Sequence, residues 1–323
     1  SNWFLGADFD KIRRSDVRVW LSWALFDDHV ETLTRAESAE IEELLPIIED
    51  SLQHRFPNEE QDEGRDVQSA VQCMRLTLDP MRAVQRPLVY YMAIAGVDVA
   101  ANAALRSHGY RRRDLEVDGR RHLFTYRPAQ GPTPKGALPL VFVHGIGIGF
   151  AHYLPLLAKL PTNIPIYLLE WPHVSMKVEE EVPRIPDTVS ALSAMLRADG
   201  HNRACFSGHS LGTIAISWML RDPVAAPLVA STVLIDPVSF LLFDPTVACS
   251  FLYREPASVL ELLMNYFVSR ELYIAHTLFR HFDWSHNIIF LNDLPLEGTN
   301  TVILSGSDHI VPSRRVRNYL IAE

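Results

Sequence analysis

The hydrophobic period of the chain changes once, near Arg111. Before that point apolar residues recur at helical spacing. Ile41, Leu44, Leu45, Ile48 and Leu52 form one stripe, with Glu40, Glu42, Glu43 and Glu49 on the other side. Thr34 and Glu37 stand ahead of the stripe at capping-box spacing, so a helix is expected to start there and Pro46 to bend it. Pro57 to Asp66 (PNEEQDEGRD) reads as a loop. A further apolar segment runs from Pro87 to Leu105, but Asp98 interrupts it well short of the roughly 20 residues that a spanning helix needs. A buried helix is expected there, and residues 1–108 read as an N-terminal helical region.

Beyond Arg111 the spacing shortens. Leu115 and Val117, then Leu123, Phe124 and Tyr126, flank Asp118-Gly119, a hairpin-turn signal. Short, wholly apolar runs follow at Leu138 to Val143, Ile164 to Leu169, Ala204 to Phe206, Thr232 to Ile235 and Thr301 to Leu304. Strands covered by helices on both faces have this composition. Helix-length segments alternate with them at Phe150 to Leu160, Ile185 to Ala198, Leu211 to Arg221 and Ser313 to Ile321. The alternation predicts an α/β domain over 109–323 with a doubly wound, mostly parallel sheet. The stretch from Asp236 to Thr301 exceeds the usual connection length, yet it is rich in Phe, Leu and Tyr. It is expected to fold as a helical cap over the sheet, at about 238–296.

Composition narrows the possibilities. The 323 residues are 48% hydrophobic and 21% charged, with a formal net charge of -9. Arg111-Arg112-Arg113 is the densest basic run, and Asp114 follows it at once, so no stripe exists to track a nucleic-acid backbone. Three cysteines, Cys73, Cys205 and Cys249, are too few and too scattered for a disulfide framework or a metal cage. With no Asn-x-Ser/Thr acceptor either, a reducing compartment is slightly favoured over secretion.

The chemistry concentrates in three places. Gly208-His209-Ser210-Leu211-Gly212 follows an apolar strand and opens a helix, the setting in which a sharp turn lifts a serine hydroxyl above the strand ends. Ser210 is expected there with φ above zero, at a helix N-terminus that favours developing negative charge. Val141 to Gly149 (VFVHGIGIG) is a strand ending in a glycine-rich loop. Its spacing is not that of a dinucleotide site, so no cofactor is called for. The amides of Ile146 and Leu211 are candidates for an oxyanion hole. His144, Gly145, Gly147 and His209 are expected to support it, His144 by bracing the loop. Third, Ser305-Gly306-Ser307-Asp308 follows a strand beyond the serine, where a carboxylate in the order Ser, Asp, His belongs. Asp236, in Leu234-Ile235-Asp236-Pro237, is its rival.

These motifs, in this order, resemble the α/β-hydrolase superfamily from about Arg111 to the C-terminus. The wider pattern, with a helical N-terminal region and the segment Arg280 to Trp284 (RHFDW), is similar to hydrolase-domain proteins of fungi and algae. In those proteins a membrane anchor often precedes the domain. The resemblance implies a serine hydrolase of the esterase or lipase kind, with Ser210 as nucleophile, Asp308 as acid and a small apolar ester or acyl compound as substrate. It also implies a histidine after one further strand, and no histidine stands in that place before Glu323. The last strand is therefore expected to be missing. His309 adjoins the acid, and His281 and His286 lie in the expected cap. A hydrolase fold retained as a binding or assembly module is the alternative.

Overall fold

A computed structural model describes residues 2–58, 71–117 and 119–322. From residue 59 onward the loop expected over Pro57 to Asp66 lies outside the described residues, as does Asp118 of the hairpin. The N-terminal region contributes α1 (Arg14–Phe26), α2 (Arg35–Leu52) and α3 (Leu88–Ser107). The capping box forms at α2: the Thr34 hydroxyl accepts the Glu37 N–H, and the Glu37 carboxylate accepts the Thr34 N–H. Pro46 stands inside this helix without ending it.

The remaining elements are β1 (Arg111–Val117), β2 (Arg120–Arg127), β3 (Leu140–Val143), α4 (Leu154–Leu157), β4 (Ile166–Leu169), α5 (Ile185–Ala198), β5 (Ala204–His209), α6 (Thr213–Arg221) and β6 (Val229–Ile235). After them come α7 (Thr246–Ala248), α8 (Val259–Met264), α9 (Leu272–Arg280), α10 (Trp284–Asn287), β7 (Asn300–Ile303) and α11 (Ser313–Ala322). The seven strands form one sheet in the order β1-β2-β4-β3-β5-β6-β7. β1 and β2 are the antiparallel hairpin, β2 meets β4 antiparallel, and the other pairings are parallel.

Strand alternation sorts the core into two faces. Val141, Val143, Tyr167, Leu169 and Phe206 pack on one side with Leu192 and Leu196 of α5 and Ile214 and Met219 of α6. Phe142, Ile166 and Leu168 pack on the other with Tyr153, Leu157 and Leu105 of α3. Register then decides what the strands present. Val143 pairs with Gly208, His209 with Ile235, and Ile235 with Ile303. The loops after β3, β5, β6 and β7 therefore leave the same edge side by side, which is where open α/β sheets bind ligands.

Several expectations change. The apolar segment before Arg111 is not a buried helix. Among the described residues α3 is the one helix long and apolar enough to cross a membrane, yet only 17% of it is buried. Most of its apolar residues point outward, while its inward side carries Asp98, which meets Lys177 Nζ at 2.8 Å, and the buried Ala101 and Leu105. Glu49 does not belong to the wet side of α2. It is buried and accepts the Phe56 N–H and an Arg55 guanidinium N–H. Leu52, assigned to the apolar stripe, is exposed. The helix expected from Phe150 to Leu160 shrinks to a 3-10 turn, Ala151–Tyr153, followed by α4.

The N-terminal helices and the segment between β6 and β7 hold one another. Trp3 Nε1 donates to the Phe243 carbonyl, Trp284 Nε1 to the Ala24 carbonyl, and the Tyr253 hydroxyl to Asp79. That segment is largely helical and contains two π-helical turns, Cys249–Tyr253 and Asn265–Ser269. Such turns are uncommon in regular helices and recur at functional sites.

The tightest packing lies where α6 starts. A Cβ on Gly212 would stand 2.3 Å from the Val143 carbonyl oxygen and 2.7 Å from that of His144. Backbone on both sides cannot retreat cheaply. Gly212→Ala is expected to destabilise the protein by at least ~1–3 kcal/mol, read as a lowered urea midpoint. An unchanged midpoint would show that this contact is looser than described.

Candidate active site

Ser210 opens a short 3-10 turn, Ser210–Gly212, between the end of β5 and α6. Its φ is 50°, the left-handed region that a non-glycine residue enters at a cost on the order of 1–3 kcal/mol. Strand pairing before the turn and helix packing after it hold the residue there. The glycine-rich loop crosses directly over the turn: a Cβ on Gly145 would lie 2.9 Å from Ser210 Cβ and 2.8 Å from the His209 carbonyl oxygen.

Three amides of that loop have different fates. The Gly145 N–H donates to the Tyr153 hydroxyl at 3.0 Å, and the Gly147 N–H to the Val174 carbonyl at 3.0 Å. Among the described residues the Ile146 N–H has no partner. Ile146 and Leu211 both line the cavity that contains Ser210. His144 stands behind the loop, donating from Nδ1 to the Gly145 carbonyl at 2.8 Å while its Nε2 accepts the Trp171 N–H at 3.2 Å. Both nitrogens are thus engaged by a neutral ring. Burial pushes its pKa down to about 4, and burial does the same to His152, which packs on Gly147.

Tyr153 was not singled out from the sequence, where nothing distinguishes it from other core tyrosines. Its hydroxyl accepts the Gly145 amide and lies 2.6 Å from His209 Nδ1. The contact engages His209 Nδ1 whichever of the two groups carries the bridging proton. Burial lowers the pKa of His209, and the charges of Asp236 and Asp308 oppose that shift.

Both aspartates line the cavity with Ser210. Asp236, at φ 43°, is buried and fully occupied: Oδ1 accepts the Ser305 N–H at 2.5 Å and Oδ2 the Ser305 hydroxyl at 2.6 Å. It ties the end of β6 to the loop after β7. Asp308 uses one oxygen, Oδ1, to accept the N–H groups of Ile310 and Val311 at 2.7 and 2.9 Å. Its Oδ2 has no hydrogen-bond partner among the described residues.

The cavity measures about 280 Å³. Trp3 and Trp23 from the N-terminal region and Leu242, Phe251, Phe282 and Trp284 from the segment after β6 form much of its wall. Among the described lining residues the one histidine is His209. His309 is exposed and borders a different, smaller pocket, while His281 and His286 line a separate cleft beside Trp171 and Trp218. No group of three or more His, Cys, Asp or Glu among the described residues is arranged to hold a metal ion.

Two measurements follow. Tyr153→Phe leaves the buried Gly145 amide without an acceptor, and is expected to cost about 1–3 kcal/mol in denaturant unfolding. A neutral substitution would mean that the amide finds another partner. The buried histidines set the pH dependence. Burial lowers His144 and His152 to about 4 and His173 to about 3, whereas an unfolded histidine titrates near 6.5. Only the unfolded chain takes up these protons just below 6.5, so stability is complete above that pH and falls as the pH drops toward 4. His144 alone is worth on the order of 3 kcal/mol. A urea midpoint that stays level from pH 7 to pH 5 would contradict this.

Among solved structures, a bacterial membrane phospholipase A superposes over 71% of this chain and 80% of its own, at 16% identity and a TM-score of 0.46. A thermophilic esterase from Thermogutta terrifontis superposes over 65% and 85%, at 13% identity and 0.45. The carboxylesterase CesB from Bacillus subtilis superposes over 72% and 99%, at 14% identity and 0.40. No curated protein sequence matches significantly. The model of the Alpha/beta hydrolase family matches residues 140–316, more than half of the chain and the whole stretch from β3 into α11. By that match, and by the mostly parallel sheet that carries Ser210 at its edge, the chain belongs to the alpha/beta hydrolase family.

Proposed function

We propose that the protein is a serine hydrolase of carboxylic esters or lipid-like acyl compounds. The observation that carries this reading is the cavity: an apolar chamber whose floor holds a left-handed Ser210, the unengaged Ile146 amide and two aspartates. Ser210 Oγ attacks the acyl carbonyl. The N–H groups of Ile146 and Leu211 take the developing oxyanion, and the aromatic and aliphatic walls take the chain of the acyl group. Asp308 is the acid of the set, because it keeps one carboxylate oxygen unengaged while Asp236 spends both on Ser305. Asp236 then has a structural part, holding two loop ends in register. His144, Gly145, Gly147 and His209 serve by position.

A base completes the chemistry. His209 is given a bracing part and not that of the base, since its Nδ1 is held by the Tyr153 hydroxyl, which also accepts the Gly145 amide. The proposed base is an imidazole that enters between Ser210 and Asp308. The same engagement of His209 favours a second reading, a hydrolase-fold module that binds an apolar ligand without turning it over.

A fluorophosphonate probe separates the two. Labelling is expected at Ser210 and is expected to vanish in Ser210→Ala. A chain that binds fatty acid yet never labels supports the module reading. The acid is tested by paired substitutions with folding monitored. Asp308→Asn is expected to lower ester turnover with little loss of stability, because one oxygen still accepts the Ile310 and Val311 N–H groups. Asp236→Asn is expected to lower stability first, because Ser305 loses its acceptor. The reverse pattern would transfer the role of acid to Asp236.

A further inference from the structure

The surface of α3 is built the wrong way round for a helix facing water. From Leu88 to Leu105 its one charged side chain is Asp98, which is turned toward the body of the protein and paired with Lys177. Outward stand Leu88 (72% exposed), Val89 (70%), Met92 (65%), Val97 and Val99 (70%), with only alanine and glycine among the exposed positions between them as far as Ala103. The neighbouring α8 and the π-helical turn after it repeat the inversion. Val259, Leu260, Leu262, Leu263, Tyr266 and Phe267 are exposed, while Glu261 is drawn in to Arg254 and to the Ala257 N–H.

α3 meets the π-helical turn, Asn265–Ser269, that continues α8. The rings of Tyr90 and Phe267 stack at 6.2 Å, and the Tyr90 hydroxyl donates to the Phe267 carbonyl. The Arg86 guanidinium lies 3.9 Å from the centre of the Tyr266 ring. Tyr91 donates to Glu271, a fully buried carboxylate at the start of α9. The reverse side of the same segment reaches the candidate active site: Met264 and Val268 line the cavity that holds Ser210.

We infer that this face docks on the surface of a lipid bilayer, with α3 and α8 lying in the membrane plane. Three observations select that occupant. From Leu88 to Ala103 the exposed side chains of α3 offer no donor or acceptor, whereas a protein partner is met by about one hydrogen bond per 100–200 Å². Acyl chains ask for none. The helix does not cross the bilayer in this fold, because Ala101 and Leu105 are buried, Leu105 in the core against Tyr110 and Phe142. It lies on the membrane instead. Finally, the segment is continuous with the cavity wall, so a bilayer on its outer side stands one helix away from the site. That last step alone rests on the proposed ester or lipid chemistry; the docking does not.

The face carries no cluster of cations, so adhesion by buried apolar area is expected to be indifferent to lipid charge and to salt. The test is flotation of the purified protein with phosphatidylcholine vesicles at 0.1 M and 1 M NaCl. Binding is expected at both salt concentrations. The double variant Met92→Asp/Val99→Asp, at exposed positions outside the cavity lining, is expected to bind at least tenfold more weakly with unchanged thermal unfolding. Met92→Leu/Val99→Ile is expected to bind as before. Ser210→Ala is also expected to bind as before, which keeps the docking separate from the reaction: vesicle binding without probe labelling would sink only the hydrolase reading. Absence of binding by the folded protein overturns the inference, and so does full binding by the double Asp variant. A concentration-dependent dimer that the Asp variant dissolves, with no vesicle binding, would assign the face to a second copy of the chain.

Discussion

Gly212 has no side chain, and the carbonyl oxygens of Val143 and His144 occupy the space where one would stand. Much of the site depends on that approach. It lets α6 begin directly against the end of β3, which leaves the chain between His209 and Gly212 too little room to turn except sharply. Ser210 absorbs the turn at φ 50°. The same closeness brings Gly145 onto the Ser210 Cβ, so the loop amides and the serine belong to one rigid contact rather than to two loops that happen to meet. A strained residue persists only where its surroundings over-determine it. Here two strands, a helix start and a glycine-rich loop all do so.

Around this contact the buried polar groups are paired so that few of them can move. His144 closes two backbone hydrogen bonds as a neutral ring, Tyr153 joins the loop to His209, and Asp236 joins β6 to Ser305. Each of these would be expensive if left unmatched in so dry a place. Among the groups left at the cavity without a hydrogen-bond partner among the described residues are the Ser210 hydroxyl, the Ile146 amide and one oxygen of Asp308. The chemistry open to the site depends on which groups remain unengaged as much as on which residues are present.

The roof of the cavity is shared. Trp3 and Trp23 come from the start of the chain, and Phe251, Phe282 and Trp284 from the segment between β6 and β7. The N-terminal region is therefore part of the chamber's wall and not an appendage to the sheet. α3 departs from that pattern. Its acid points in and its aliphatic residues point out, an arrangement that makes sense when the medium beyond the helix is not water.

Much of the architecture was written in the chain itself. Short apolar runs with helical stretches between them dictate parallel strands under cover, and Gly208 to Gly212 after such a run dictates a sharp turn at Ser210. Thr34 and Glu37 specify the start of α2 by themselves, because a capping box needs only neighbours along the chain. All of these signals are local. The direction in which α3 faces was not local: an apolar helix reads the same whether its stripe meets a core or open surface, and what packs against it decides, here Lys177 on Asp98 and the core around Leu105. Glu49 looked like one more acid on a wet face until the chain after α2 returned to donate to it. The contrast between Asp308 and Asp236 was out of reach for the same reason. Both close an apolar strand, and what separates them is Ser305, distant in sequence from Asp236 and brought to it by the pairing of β6 with β7. Period and turn chemistry are properties of a segment, whereas the freedom of a carboxylate or an amide belongs to everything that packs around it.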